Sequence, residues 1–351
     1  MSLNNANILQ ELSDHTAKLI KGFDHLNEIK EVDIATTPKT LVYSEDKLKL
    51  YRYNRDSKAT YKTPILIVYA LVNTYKMLDL QPDRSYIKNL LDAGLDVYLI
   101  DWGNPTKIDK FLSIDDYVNR YIDHCVDFVR HENKVDKVNI LSICQGGTLS
   151  IIYSALHTDK VKNLVTHVTP VDFSGNDGLL FRWSKDMDFK AIVKGFDGIV
   201  PGTFLNDGFE MLKPMMKFQK SLGLMNSMED KSKLLNYLRM ERWINESPDQ
   251  AGACFLQFME DLYQHNKLIK NQLEVGGQKV DLKKITIPVL NIYATEDHLV
   301  PPSSTTPLND YIGSKDHEIY RFEGGHIGVF VGSKTQKELA PKVGKWLKDR
   351  D

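Results

Sequence analysis

The sequence predicts an α/β protein, a doubly wound and mostly parallel sheet with helices on both faces. Short aliphatic and β-branched runs alternate with helical stretches, the order of successive βαβ units. Those runs are mainly aliphatic and β-branched, the kind expected in a parallel sheet covered on both faces. One of them ends in Cys144-Gln145-Gly146-Gly147, where a strand must turn sharply into a helix. A chain of 351 residues fits one such core carrying an insertion.

Residues 8–23 place Ile8, Leu12, Leu19, Ile20 and Phe23 near one face of a helix, to pack on the body of the protein or on a partner. Lys47–Asn54 alternates and reads as a strand with one buried face. Buried strands are expected at Ile65–Ala70, Val97–Asp101, Val138–Ile143 and Leu164–Val168, with helices at Ser85–Ala93, Ile114–Arg130 and Thr148–His157 between them. After Val171-Asp172-Phe173 the alternation stops. Residues 174–278 are rich in methionine and aromatic residues, hold helical patterns at Lys231–Trp243 and Gly252–His265, and contain no clear parallel strand. Strands resume at Ile287–Ala294 and His317–Phe322, and a helix over Thr335–Lys348 ends the chain. The expected organisation is an N-terminal helical segment (1–37), a core (38–173 and 279–351) and a helical cap inserted at 174–278.

Net charge is −2, with 42% hydrophobic and 26% charged residues. This is a globular composition with no electrostatic footprint for nucleic acid. The longest apolar runs, Pro64–Val72 and Ile151–Leu156, are too short to span a bilayer. The N-terminus lacks the basic start and apolar stretch of a signal peptide. Cys125, Cys144 and Cys254 show no paired spacing, so neither a disulfide framework nor a zinc site is expected. A cytoplasmic, reducing compartment follows.

Val-Asn-Ile-Leu-Ser-Ile-Cys-Gln-Gly-Gly-Thr (138–148) matches the G-x-S-x-G nucleophile elbow of the α/β-hydrolase fold, with cysteine for serine and Ser142 for the first glycine. A cysteine is usually a small core residue. Cys144 instead ends a strand, precedes two glycines and starts a helix whose N-terminal dipole favours a thiolate. Cys125 and Cys254 fall in helical patterns and read as core. In this fold the acid and the histidine follow the nucleophile, each on a loop after a strand. Asp297 follows the strand Ile287–Ala294, and His326 lies in Glu-Gly-Gly-His-Ile-Gly (323–328) at the exit of the last strand. Glu296 and His298 are their competing neighbours. Cys144, His326 and Asp297 form the expected triad. The Gln145 backbone N–H is the expected oxyanion donor, and Val72, in the loop Ala70–Asn73, supplies the second.

At these positions the chain resembles the catalytic subunit of polyhydroxyalkanoate synthases, from about Pro38 to the C-terminus. The resemblance rests on Ile-Val-Tyr-Ala-Leu-Val-Asn (67–73), Asp-Val-Tyr-Leu-Ile-Asp-Trp-Gly (96–103), Ile-Cys-Gln-Gly-Gly (143–147), Tyr-Ser-Ala-Leu-His (153–157) and Val-Thr-Pro-Val-Asp-Phe (168–173). It extends through Ser-Pro-Asp-Gln-Ala-Gly (247–252), Asp-His-Leu-Val-Pro-Pro (297–302) and Gly-Gly-His-Ile-Gly (324–328). The forms Cys-Gln-Gly-Gly and Asp-His-Leu-Val-Pro-Pro look most like the two-component class III type, with class IV the alternative. Ser142 departs from the glycine usual in the family.

The resemblance implies polymerisation of an (R)-3-hydroxyacyl-coenzyme A, chiefly the hydroxybutyryl form, through a cysteine thioester with release of coenzyme A. It implies no cofactor, an accessory synthase subunit (PhaE type), a homodimer or hetero-oligomer, and a place on the surface of polyester granules. Asp297 either orients His326 or acts on the substrate hydroxyl. The methionines and aromatics of the insertion (Met211, Met215, Met216, Phe218, Trp243, Phe255, Phe258) either face acyl chain, partner or granule, or form the cap's own core. A cysteine thioesterase of the same fold would share the triad but release free acid. A non-catalytic scaffold coating inclusions would not need all three residues.

Overall fold

A computed structural model of the chain describes residues 5–55 and 58–351, without the side chains of residues 5–12, 15, 216–219 and 221. Its centre is an eight-stranded sheet: β1 (Lys39–Glu45), β2 (Leu48–Tyr53), β3 (Ile65–Val68), β4 (Val97–Asp101), β5 (Val138–Ile143), β6 (Val161–His167), β7 (Val289–Ala294) and β8 (His317–Phe322). The spatial order is β1-β2-β4-β3-β5-β6-β7-β8. β3 to β8 pair in parallel, and β2 runs against both β1 and β4.

Burial explains the composition of the central strands. Every residue of β3 and β5 is buried, because helices cover both faces of the sheet. Several polar residues inside it bond one another across neighbouring strands. Asn163 Nδ2 donates to Asn139 Oδ1 at 2.8 Å, and Thr166 Oγ1 donates to Asn291 Oδ1 at 2.9 Å. Helix α2 (Tyr86–Asp92) is capped by Ser85, whose side chain accepts from the Lys88 amide. The helical stretch from Asp116 is π-helical to Ile122 and continues as α3 (Asp123–Asn133). Helix α4 (Gln145–Leu156) follows β5 directly, three residues earlier than its expected start at Thr148.

Edge strand β1 has no counterpart in the sequence expectation. None of its residues is buried and a bulge falls between Leu41 and Tyr43, so it carries little hydrophobic periodicity. The alternating Lys47–Asn54 run is β2, all six of whose residues pair with β1, three on each side of the bulge. β6 stops at His167 because Val168 takes a positive φ of 43°.

The chain between β6 and β7 holds six helices: α5 (Leu179–Ser184), α6 (Phe189–Gly195), α7 (Gly202–Leu212), α8 (Pro214–Ser227), α9 (Lys231–Asn245) and α10 (Gly252–Gln257), which runs on as a π-helix to Gln264. Two-residue antiparallel ladders, Ile199–Val200 with Gln250–Ala251 and Glu274–Val275 with Gln278–Lys279, are its only strands among the described residues. Trp243, Phe255 and Phe258 are buried, while Met211 and Met215 are exposed. The side chains of Met216 and Phe218 lie outside the described set.

Helix α1 (Asn5–Glu28) extends beyond the expected 8–23. It packs on α8 and α9, where His25 Nδ1 bonds the Met228 carbonyl at 3.0 Å and Lys231 pairs with Glu28 at 2.8 Å. Ile20 and Phe23 stay exposed; the side chains of Ile8 and Leu12 lie outside the described set. The segment after α1 is tied to the core through Asp79, whose carboxylate accepts from the Thr37 amide and hydroxyl at 2.9 and 2.7 Å. Among the described residues no helix is long and apolar enough to cross a membrane.

Two glycines separate packing from propensity. A Cβ on Gly146 would lie 2.3 Å from the Tyr69 carbonyl oxygen and 2.5 Å from that of Val68, whereas Gly208, inside α7, has nothing within 4 Å. In thermal unfolding Gly146→Ala is expected to lose about 1–3 kcal/mol through overpacking. Gly208→Ala is expected to gain roughly 0.5–1 kcal/mol from helix propensity.

Candidate active site

Cys144 stands between the end of β5 and the first residue of α4, with φ 51° and ψ −124°. This is a region that non-glycine residues occupy only when their surroundings impose it. Here the surroundings do so from three directions. The Cys144 amide donates to the His167 carbonyl at 2.9 Å, and the Cys144 carbonyl accepts from the Gly147 and Thr148 amides. Gly146 presses α4 against the carbonyls at the end of β3, and Gly147 leaves room for the Thr169 side chain. Ser142 keeps the turn despite replacing glycine, because its hydroxyl bonds the Val165 carbonyl of the neighbouring strand at 3.2 Å.

The thiol is half-buried, whereas Cys125 and Cys254 are buried, and burial pushes both of their thiols up. Cys144 is therefore the accessible thiol of the three. Behind it His167 is buried and uncharged, its pKa driven down to about 3 by burial. Its Nε2 is hydrogen-bonded to the Tyr86 hydroxyl at 2.9 Å, which makes it part of the support.

Asp297 lies just past β7 and is buried, while Glu296 is exposed. One oxygen of the Asp297 carboxylate accepts from the Leu299 and Val300 amides, both at 2.9 Å. The other accepts from Nδ1–H of His326 at 2.6 Å. The Cys144 thiol is close enough to the His326 ring to act on its charge. Burial opposes a charge on this ring. The Asp297 carboxylate and Cys144 together outweigh it, and the His326 pKa is raised to about 10. His298 is held below its ordinary value by burial, with Lys213 adding to that and Asp297 opposing it. It makes no bond to the carboxylate that holds His326. The structure thus brings Cys144, His326 and Asp297 together and leaves Glu296 and His298 outside the chain of bonds.

Gln145 opens α4, where its backbone N–H has no intrahelical acceptor. Val72 lies on the bend after β3, next to Asn73 with φ 58°, and the same bend begins at the Tyr69 carbonyl that abuts Gly146. Two tyrosines absent from the sequence expectation line the site. Burial first, and then Cys144, raises the phenol of Tyr69. For Tyr263 the causes are burial, then Cys144, then Asp297. Tyr263 comes from the helical run after α10 and is packed among Phe173, Phe181 and Phe258. No local pattern marks it, because its neighbours at the site are far away in sequence. No group of three or more potential metal ligands occurs among the described residues.

The arrangement offers an accessible thiol, a base held by a carboxylate and amides at a helix start, the parts needed for acyl transfer. Comparison with known proteins agrees with this chemistry. The family model "alpha/beta hydrolase fold" matches residues 63–333, and the "Poly-beta-hydroxybutyrate polymerase (PhaC) N-terminus" matches residues 5–90. The poly(3-hydroxyalkanoate) polymerase subunit PhaC of Allochromatium vinosum is 51% identical over 346 residues, covering 98% of this chain and 97% of that one. The corresponding subunit of Synechocystis sp. is 45% identical over 352 aligned residues, covering 97% and 93%. Among solved structures, a putative lipase from Sulfolobus solfataricus superimposes with a TM-score of 0.58 at 13% identity, over 89% of this chain and 93% of that one. A monoacylglycerol lipase from Paleococcus ferrophilus does so with a TM-score of 0.51 at 16% identity, over 86% and 99%. These two likenesses concern the fold. With near-complete coverage by relatives at half identity, the chain belongs to the poly(3-hydroxyalkanoate) polymerase family, as a PhaC-type subunit built on the α/β-hydrolase fold.

Proposed function

We propose that this chain polymerises (R)-3-hydroxyacyl-coenzyme A, chiefly the hydroxybutyryl form, into polyester through a covalent thioester on Cys144. The observation that carries the reading is the 2.6 Å hydrogen bond from His326 to Asp297, with the half-buried Cys144 thiol acting on the same ring. His326 takes the proton from Cys144, and the sulfur attacks the thioester carbonyl. The carbonyl oxygen gathers charge opposite the Gln145 and Val72 amides, each such donor being worth about 3–4 kcal/mol in the transition state. The bond to the coenzyme A sulfur breaks, and the leaving sulfur receives the proton from His326. A hydroxyl of a second hydroxyacyl unit then attacks the Cys144 thioester and gives its proton to His326. An ester forms and the Cys144 sulfur is released.

Asp297 orients His326, since its second oxygen is engaged by two backbone amides and the carboxylate is fixed in place. Water must be kept from the thioester. Residues 174–278 serve as the lid, with Tyr263 and the aromatic cluster around it forming its inner face, and the lid must open for substrate and product. The partner expected from the family is an accessory subunit of the PhaE type, in a class III enzyme. Exposed Ile20 and Phe23 on α1, and Met211, Met215, Leu222 and Met225 on α7 and α8, provide apolar surface for assembly and for contact with polyester granules.

Purified chain incubated with (R)-3-hydroxybutyryl-coenzyme A, with and without an accessory subunit, is expected to release coenzyme A and form insoluble polyester. Release of free 3-hydroxybutyrate alone would mark a thioesterase. Cys144→Ala is expected to reduce release by a factor on the order of 10³ or more. Its unfolding free energy should stay within about 1 kcal/mol, since the change removes little volume. Turnover by that variant would rule out the assigned nucleophile.

The raised pKa of His326 fixes the sign of a pH effect. A group raised from 6.5 to about 10 on folding contributes stability that is complete below pH 6.5 and disappears as pH rises through 10. Asp297→Asn removes the largest raising influence while its side-chain oxygen can still accept from the backbone amides. The melting-temperature gap between wild type and this variant is therefore expected to be widest near pH 6 and to shrink towards pH 10. The His326 imidazole signal in NMR should titrate well above pH 7 in wild type and shift down in the variant. A wild-type titration near pH 6.5 would contradict the assigned ion pair.

A further inference from the structure

Away from the thiol, a surface groove of about 610 Å³ opens between the loop after β4 and helices α6 and α10. It is lined by Lys107, Lys110 and Phe111 from the loop, Lys190 and Lys194 from α6, and Leu256 from α10. Two of the four ammonium groups meet carboxylates, Lys107 with Asp197 at 3.3 Å and Lys190 with Glu260 at 3.4 Å. The Lys110 ammonium lies 5.0 Å from the centre of the Phe111 ring. Phe111 is 77% exposed, so its ring face is open to a ligand. A chain with net charge −2 thus collects surplus positive charge around an aromatic ring in a groove of ligand-binding size.

Both walls of the groove lead back to the candidate active site. β4 is two strands from β5 in the sheet, so the loop after β4 leaves the same edge as Cys144, roughly 10 Å away at the ordinary strand spacing. Trp102 Nε1–H, at the start of that loop, donates to the Tyr69 carbonyl at 2.9 Å, the carbonyl packed against Gly146. On the other side, the helical run from α10 continues to Gln264 and carries Tyr263, whose phenol is within electrostatic reach of Cys144.

We infer that this groove holds the phosphorylated adenosine end of the coenzyme A thioester, with the lysines on the phosphates and the adenine against Phe111. The inference rests on the reading of the chain as a coenzyme A thioester polymerase. Phosphate oxygens accept charge-assisted hydrogen bonds from lysine ammonium groups, bases stack on exposed aromatic rings, and the long flexible arm of coenzyme A carries the thioester onward to Cys144. The excess positive charge also draws the anionic substrate to this mouth of the protein.

The test compares wild type with the double variant Lys110→Glu/Lys194→Glu on two substrates, (R)-3-hydroxybutyryl-coenzyme A and the N-acetylcysteamine thioester of the same acid, which has no phosphates. For the coenzyme A substrate KM should rise about tenfold or more with little change in kcat, as expected when charge-assisted phosphate contacts become repulsive. The truncated thioester should be used equally well by both proteins. Calorimetric titration of Cys144→Ala with adenosine 3′,5′-bisphosphate should show binding that weakens in salt and is lost when the two reversals are added. Unchanged KM for both substrates, or an equal loss on both, would overturn the inference while leaving the polymerase reading intact. If no thioester releases coenzyme A from wild type, that reading fails, and the titration alone then decides whether the groove takes the nucleotide end.

Discussion

The structure depends on holding one cysteine in a backbone conformation that it would not adopt by itself. Cys144 has φ 51° and ψ −124°, and such strain persists only where neighbouring elements leave no alternative. β5 is buried along its whole length between β3 and β6, so its end cannot relax sideways. Helix α4 cannot draw back either, because the two glycines bring its first turn into contact with the β3 carbonyls and with Thr169. The result is a thiol raised above the edge of the sheet with free amides beside it. Every other feature of the site is arranged around this point.

The carboxylate and the histidine reach the same point from the far side of the sheet. β6 lies between β5 and β7, and the loops after β7 and β8 turn back over its end. Asp297 is fixed by two backbone amides before it meets His326, so the ring is oriented by a group that cannot itself swing. Burial would ordinarily strip the proton from such a ring; the carboxylate and the sulfur reverse that outcome. The same fold is found in two lipases. Fold alone does not separate a polymerase from a hydrolase; the residues set around the site do.

The chain between β6 and β7 is the longest addition to the sheet. Its helices have aromatic inner faces, with Phe173, Phe181 and Tyr263 packed together, and methionine-bearing outer faces on α7 and α8. Helix α1 packs on this same region through α8 and α9, so the N-terminal segment is joined to the proposed lid as well as to the core.

The sequence by itself determined the order of the sheet elements, the elbow and the order Cys144, Asp297, His326, because these depend on local rules: apolar runs for buried strands, glycines for a tight turn, and loops after strands for side chains that must project. It also carried the family resemblance, which the relatives at 51% and 45% identity bear out. Edge strand β1 escaped notice, since a strand with no buried residue has no hydrophobic signature. The fold added the burial of Asp297, the exposure of Glu296 and the bond between positions 29 residues apart. Tyr69, Tyr263 and the lysine groove were visible only in three dimensions. Their functional neighbours lie on other strands and helices, and distances across a packed sheet are set by tertiary contacts that no window of sequence contains.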